Sequence, residues 1–218
     1  MEGSFRDRTA AGVALADELS RYARRPDVVV LGLVRGGVPV AATVAGRLAV
    51  ALDVLVIRKL GVPWAPEVAF GALGPGGVTV RNDDVAARLE QADVDRVLER
   101  EQAELVRREA RYRAGRPPLT LRGNVSVLVD DGLATGATAR AAVAVARAHD
   151  AAEVVLAVPV GSGRALSALT PLVDDLVCPL RPEAFGAVSQ FYDDFHQVTD
   201  GEVAAALGSV DVRPPGTV

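Results

Sequence analysis

Two adjacent carboxylates close an apolar run in Val127-Leu128-Val129-Asp130-Asp131-Gly132-Leu133-Ala134-Thr135-Gly136-Ala137-Thr138. Ionised carboxylates accept hydrogen bonds and repel phosphate, so Asp130 and Asp131 suit the hydroxyls of a sugar diol. The small residues that follow suit the opposite task. Backbone N–H groups of a short loop that opens a helix attract anions. Gly136 lets a phosphate approach the backbone without a Cβ in the way, and Thr135 and Thr138 add hydroxyl donors. One short segment thus offers a diol site beside a phosphate site. An acidic pair can also simply cap a helix, but capping gives no reason for the small-residue loop.

A site of this kind needs a strand in front of it and a helix behind it. Continuous Val- and Leu-rich runs at residues 28–33, 54–57, 125–129, 154–158 and 176–178 read as strands buried on both faces. Helical patterns lie between them at 7–24, 38–48 and 137–149. Strands alternating with helices predict an α/β fold, a parallel sheet with helices on both faces and right-handed connections. Ligands of such sheets bind beyond the carboxyl ends of the strands, where the acidic pair falls.

Two regions break the alternation. Residues 61–82 carry Gly71, Gly74, Pro75, Gly76 and Gly77 and read as a hairpin or a mobile loop. Residues 93–113 read as a charged helix capped by Asp93, with Val94, Leu98, Leu105 and Tyr112 at helical spacing and the charges on a solvated face. Pro117 and Pro118 end it. Residues 211–218, with Pro214-Pro215-Gly216, read as a loose tail.

Composition narrows the function. The 218 residues are half hydrophobic, only 4% aromatic, and carry a formal charge of −4. That balance weighs against nucleic acid as a partner, so an anionic substrate needs a local basic site. Cys178, the single cysteine, excludes an internal disulfide and reads as a buried, inert thiol. No apolar run is long enough to span a bilayer. With no signal-peptide pattern at the start, the expected location is the cytoplasm.

The segment around Asp130 resembles the phosphoribosyl pyrophosphate motif of type I phosphoribosyltransferases. The resemblance implies that Asp130 and Asp131 hold the ribose hydroxyls and that Ala134, Thr135, Gly136, Ala137 and Thr138 hold the 5′-phosphate. Further resemblances follow in the family's order. Leu31-Gly32-Leu33-Val34-Arg35-Gly36-Gly37-Val38-Pro39 resembles the first pyrophosphate loop, which implies a strained or cis peptide near residues 34–36 and a role for Arg35, Gly36 and Gly37 on the diphosphate. Val56-Ile57-Arg58-Lys59-Leu60-Gly61 resembles the strand end before the catalytic lid, which implies that Arg58 and Lys59 act on the leaving pyrophosphate and that residues 61–82 form the lid. More loosely, residues 181–195 resemble the segment that covers the acceptor base, with Phe185 and Tyr192 as stacking candidates.

On this resemblance the chain is one phosphoribosyltransferase domain over residues 1–210. Its core is 7–170, its hood 176–200, and its tail 211–218. The implied partners are phosphoribosyl pyrophosphate and a small-molecule acceptor; the implied cofactor is Mg²⁺, carried by the donor near Asp130 and Asp131, and a homodimer fits the family. Ala134 stands where 6-oxopurine enzymes of the family carry a further aspartate, which argues against a standard hypoxanthine-guanine activity. Glu67 is a candidate acid or base on the lid, though an exposed surface charge fits it better. His196 reads as a surface or structurally bonded histidine. A non-catalytic sensor of the ribosyl donor is the alternative function. A dinucleotide oxidoreductase is a distant third, since Gly32, Gly36 and Gly37 lack the Gly-x-Gly-x-x-Gly spacing.

Overall fold

The computed structural model describes residues 3–210, all but the side chain of Glu67; the tail expected at 211–218 lies outside the described residues. The first half runs α1 (Arg8–Glu18), β1 (Val28–Leu33), α2 (Gly37–Leu48) and β2 (Ala51–Leu55), then β3 (Arg58–Val62), β4 (Ala65–Leu73) and β5 (Thr79–Arg81). Helices α3 (Asp83–Ala86) and α4 (Gln91–Tyr112) follow. The second half returns to alternation: β6 (Val125–Val129), α5 (Ala137–Ala148), β7 (Glu153–Ala157), α6 (Gly163–Leu169), β8 (Asp175–Val177) and α7 (Asp200–Gly208).

Five strands form one sheet in the order β2-β1-β6-β7-β8, every pair parallel. Strands β1, β2 and β6 are buried along their whole length, as their unbroken apolar runs require. Alternate side chains point to opposite faces. Val28 and Val30 meet one layer with Leu15 of α1, Val40 of α2 and Val203 of α7. Val29 and Leu31 meet another with Val143 of α5 and Leu166 of α6. The register aligns Gly32 with Val129 and Val129 with Ala157, so the loops after β1, β6 and β7 leave from one edge. No helix among the described residues is long and apolar enough to cross a membrane.

Several boundaries differ from expectation. The strand expected at 54–57 begins at Ala51 and ends at Leu55. Asp53 disguised it: this aspartate is fully buried in mid-strand and paired with Arg113 at 2.9 Å. Arg58 and Lys59 therefore do not end that strand; they open β3. Residues 61–82 resolve into antiparallel pairing of β3, β4 and β5, with Leu60, Phe70 and Leu73 buried beneath, so the hairpin reading holds over the loop reading. The first helix stops at Glu18, short of the expected 24, and a 3-10 turn follows at Ser20–Tyr22. Helix α4 is capped by Glu90, with Asp93 inside its first turn. Helices α6 and α7 went unread. Yet Thr199 and Glu202 form a capping box before α7, a pattern visible in the sequence.

Candidate functional site

Strand β6 delivers Asp130 and Asp131 to the common edge. The loop after β1 presses against them so closely that a Cβ on Gly36 would overlap the Asp131 carboxylate, and one on Gly37 would overlap the carbonyl of Val129. Only glycine fits at either position. The Val34–Arg35 peptide is cis, within the range where the resemblance implied strain.

Burial pushes the Asp130 carboxyl well above the ordinary aspartate range, and the neighbouring Asp131 charge adds to the shift. Asp131 is also raised by burial, but Arg8 pulls the other way. From α1, Arg8 donates through Nε and Nη2 to Asp131 Oδ2 at 3.0 and 2.8 Å, and through Nη1 to the His196 carbonyl at 2.9 Å. Its guanidinium lies 4.1 Å from the Phe195 ring centre. Arg8 is a residue of this constellation that sequence reasoning missed: it stands far from the motif and inside a helical pattern.

The loop after the aspartates is pinned from outside. Leu133 donates its N–H to Val160 O at 2.9 Å and accepts from Ser162 N at 2.9 Å. The Ser162 hydroxyl donates to Ala134 O at 2.7 Å. Gly136 then takes φ 77°, ψ 4° and starts α5, a left-handed turn that glycine adopts without strain. Beyond it, Ala137 and Thr138 are exposed, and their first-turn amides lack intrahelical acceptors. Such a loop is suited to an anion, with exposed Thr135 and Thr138 beside it and the Ala137 N–H directed at the Thr135 hydroxyl at 3.5 Å.

Two cavities of about 400 Å³ each flank the loop after β1. The first brings together Val34, Arg58, Lys59 and Thr138, from three separate segments, with Arg100 and Glu101 of α4. Glu101, expected on a solvated face, is only 6% exposed, because it takes the Arg58 guanidinium at 2.6 Å. The second cavity lies between Arg35, Gly36 and Asp131 on one side and Phe195 and His196 on the other. Arg35 approaches Asp200 of α7 at 3.8 Å.

The aromatic segment packs differently from expectation. Tyr192 is 7% exposed, tilted against Phe5 and Phe195, and its hydroxyl donates to the Asp131 carbonyl at 2.6 Å. Its ring braces the acidic pair and offers no open face for a base. Phe185 stacks on Phe191 with 5.4 Å between ring centres and lines neither cavity. His196 is bonded through Nδ1 to Asp194 and through Nε2 to Glu202, and both carboxylates raise its pKa. Burial lifts the Cys178 thiol to about 11, consistent with an inert group. Among the described residues no three or more His, Cys, Asp or Glu side chains cluster as a metal site.

Comparison with known proteins agrees with this geometry. Residues 7–196 match the model of the phosphoribosyl transferase domain. The chain is 51% identical over 205 residues to "Putative phosphoribosyl transferase Rv0571c" of Mycobacterium tuberculosis strain H37Rv, and equally to its counterpart in strain CDC 1551. These matches cover 93% of this chain and 46% of each relative, so the chain spans about half the length of the curated relatives it matches. The crystal structure of TT1426 from Thermus thermophilus superposes with a TM-score of 0.87 at 42% identity, covering 95% of this chain and 99% of that one. The matched residues include Asp130, Asp131, the loop 134–138 and every residue that lines the first cavity, and the chain belongs to the phosphoribosyl transferase domain family.

Proposed function

We propose that the protein transfers ribose 5-phosphate from phosphoribosyl pyrophosphate to a small-molecule acceptor, a nucleobase in the simplest case, and releases pyrophosphate. The observation that carries this reading is convergence. Val34, Arg58, Lys59 and Thr138 line one cavity, and Gly36 lies directly against Asp131. A diol site, a monophosphate cradle and a basic diphosphate site then lie within reach of one donor molecule.

In this reading the bond from the anomeric carbon to pyrophosphate oxygen breaks, its electron pair leaves with pyrophosphate, and the acceptor forms the new bond. Asp130 and Asp131 hold the ribose hydroxyls and set negative charge beneath a cationic sugar. The amides and hydroxyls of residues 134–138 hold the 5′-phosphate and fix the ring for attack. Arg35, Arg58 and Lys59 stabilise the charge that grows on the leaving group, an interaction stronger in the transition state than before it. Asp130 and Asp131 stand where they would help hold a donor-bound Mg²⁺, which would supply Lewis-acid charge neutralisation. The cavity beside Phe195 is the place for the acceptor, and Ala134 offers it no carboxylate.

Calorimetry with phosphoribosyl pyrophosphate and Mg²⁺, followed by a screen of bases and small amines for pyrophosphate release, tests the reading. Donor binding with release for at least one acceptor is expected. Binding without release across the screen would favour the sensor alternative; absence of donor binding would refute both.

A further inference from the structure

The cavity that holds Arg58 and Lys59 has a wall that the motif does not supply. Glu101 of α4 presents one carboxylate oxygen to each of two guanidiniums. Its Oε2 accepts from Arg58 Nε at 2.7 Å and pairs with Nη2 at 2.6 Å. Its Oε1 accepts from Arg100 Nε at 3.0 Å and pairs with Nη2 at 2.9 Å. Successive residues on a helix do not face one another, so the Arg100 side chain has to reach back across α4 to meet this carboxylate. The Nη1 end of each arginine is not used by Glu101.

Charge balance shows what this arrangement favours. A buried Glu101 needs one cation, and Arg58 supplies it. Arg100 and Lys59 are surplus, so three cations face one carboxylate on a single cavity wall, with Thr138 of the anion cradle beside them. Water solvates the exposed Lys59 and Arg100, so the free protein tolerates this excess of two positive charges and keeps it available to an entering anion such as a Mg²⁺-bound diphosphate. Arg58 and Arg100 offer guanidinium edges of the kind that bind phosphate oxygens in pairs.

We propose that α4 completes the leaving-group site: Arg100 is a direct ligand of the donor's diphosphate, and Glu101 is the positioning residue that holds Arg58 and Arg100 together on the cavity wall. This rests on the donor reading given above. It adds a helix outside the sequence motif to the residues that discriminate a diphosphate from a monophosphate.

Calorimetric titrations of inorganic pyrophosphate with Mg²⁺, and separately of ribose 5-phosphate, distinguish the two levels. Arg100→Ala should weaken pyrophosphate binding roughly tenfold or more, the scale of one charge-assisted contact, and leave ribose 5-phosphate affinity unchanged. Arg100→Lys should recover part of the loss. Glu101→Gln should also lower pyrophosphate affinity while sparing ribose 5-phosphate. Should this buried variant fail to fold, the exposed Arg100 decides alone. Wild-type binding of both ligands, with Arg100→Ala indistinguishable on pyrophosphate, overturns the proposal and leaves the donor reading intact. An equal loss on both ligands also overturns it, because the effect would not be confined to the diphosphate. A wild-type protein that takes up neither ligand brings down the donor reading and the proposal with it.

Discussion

Asp130 is a half-buried carboxylate placed where ionisation is costly, beside Asp131 and with the nearest guanidinium engaged by its neighbour. Its folded-state pKa is raised, so the folded protein holds that proton more tightly than the unfolded chain does. Stability is therefore lost as pH rises from the ordinary aspartate range through the raised value. Asp130→Asn should be more stable than wild type near neutral pH, by about 1 kcal/mol or more, the usual penalty of an under-bonded buried polar group. The advantage should shrink in acid, and donor binding should weaken. Thermal melts at pH 4 and pH 7.5 check this; equal melting temperatures at the higher pH would contradict it. Arg8→Met should go the other way and lose about 3–5 kcal/mol, because it strands a buried partner; chemical denaturation measures that loss. The acidic pair was legible because its apolar run and small-residue loop are contiguous. Arg8 and Ser162 were not, and Tyr192 stood out only as a stacking candidate, since the three reach the site across 123, 28 and 61 residues.

At the scale of elements, apolar runs revealed the strands wherever the interior was purely hydrophobic, and misled where it was not. Strand β2 was misplaced because Asp53 interrupts its pattern, a residue tolerated there by the distant Arg113 and Arg116 and by the Val54 amide. The glycines of residues 61–82 suggested a loop or hairpin, but neither pattern nor spacing specifies the third strand, which depends on pairing with β4. Glu101 looked like surface charge because its partner, Arg58, lies 43 residues away. The hairpin carries the chain's single tryptophan, Trp64, 68% exposed in the turn between β3 and β4, whose Pro63 and Pro66 line the Arg58 cavity. If the hairpin folds down on bound donor, Trp64 emission should shift to the blue when phosphoribosyl pyrophosphate and Mg²⁺ are added. An unchanged spectrum at proven saturation would show that the hairpin does not close over the ligand.

Across the whole molecule, two buried ionic clusters tie together parts that the sheet alone would leave apart. Asp53 holds Arg113 at the end of α4, while Arg116 donates to the Leu52 and Leu207 carbonyls, joining β2, α4 and α7. Asp53→Asn should destabilise the fold by about 3–5 kcal/mol and leave donor affinity of the folded fraction unchanged; urea denaturation and calorimetry separate the two effects. The second cluster centres on Arg8. Around it Phe5 donates its N–H to Phe191 O at 2.8 Å, and Phe5 and Arg6 accept from Asp193 and Asp194 at 2.9 Å each. The bond from Arg8 to the His196 carbonyl spans 188 residues. A chain made from its N-terminus at about 5–20 residues per second reaches His196 on the order of ten seconds or more after Arg8. Through that interval the sheet can begin to form and Arg8 can meet Asp131, but the bonds from Tyr192 to the Asp131 carbonyl and from Arg8 to His196 cannot form. The full set of braces around Asp131 is thus among the last features a newly made molecule acquires, and a ribosome stalled before residue 191 would carry a protein in which no Tyr192 hydroxyl supports the Asp131 carbonyl.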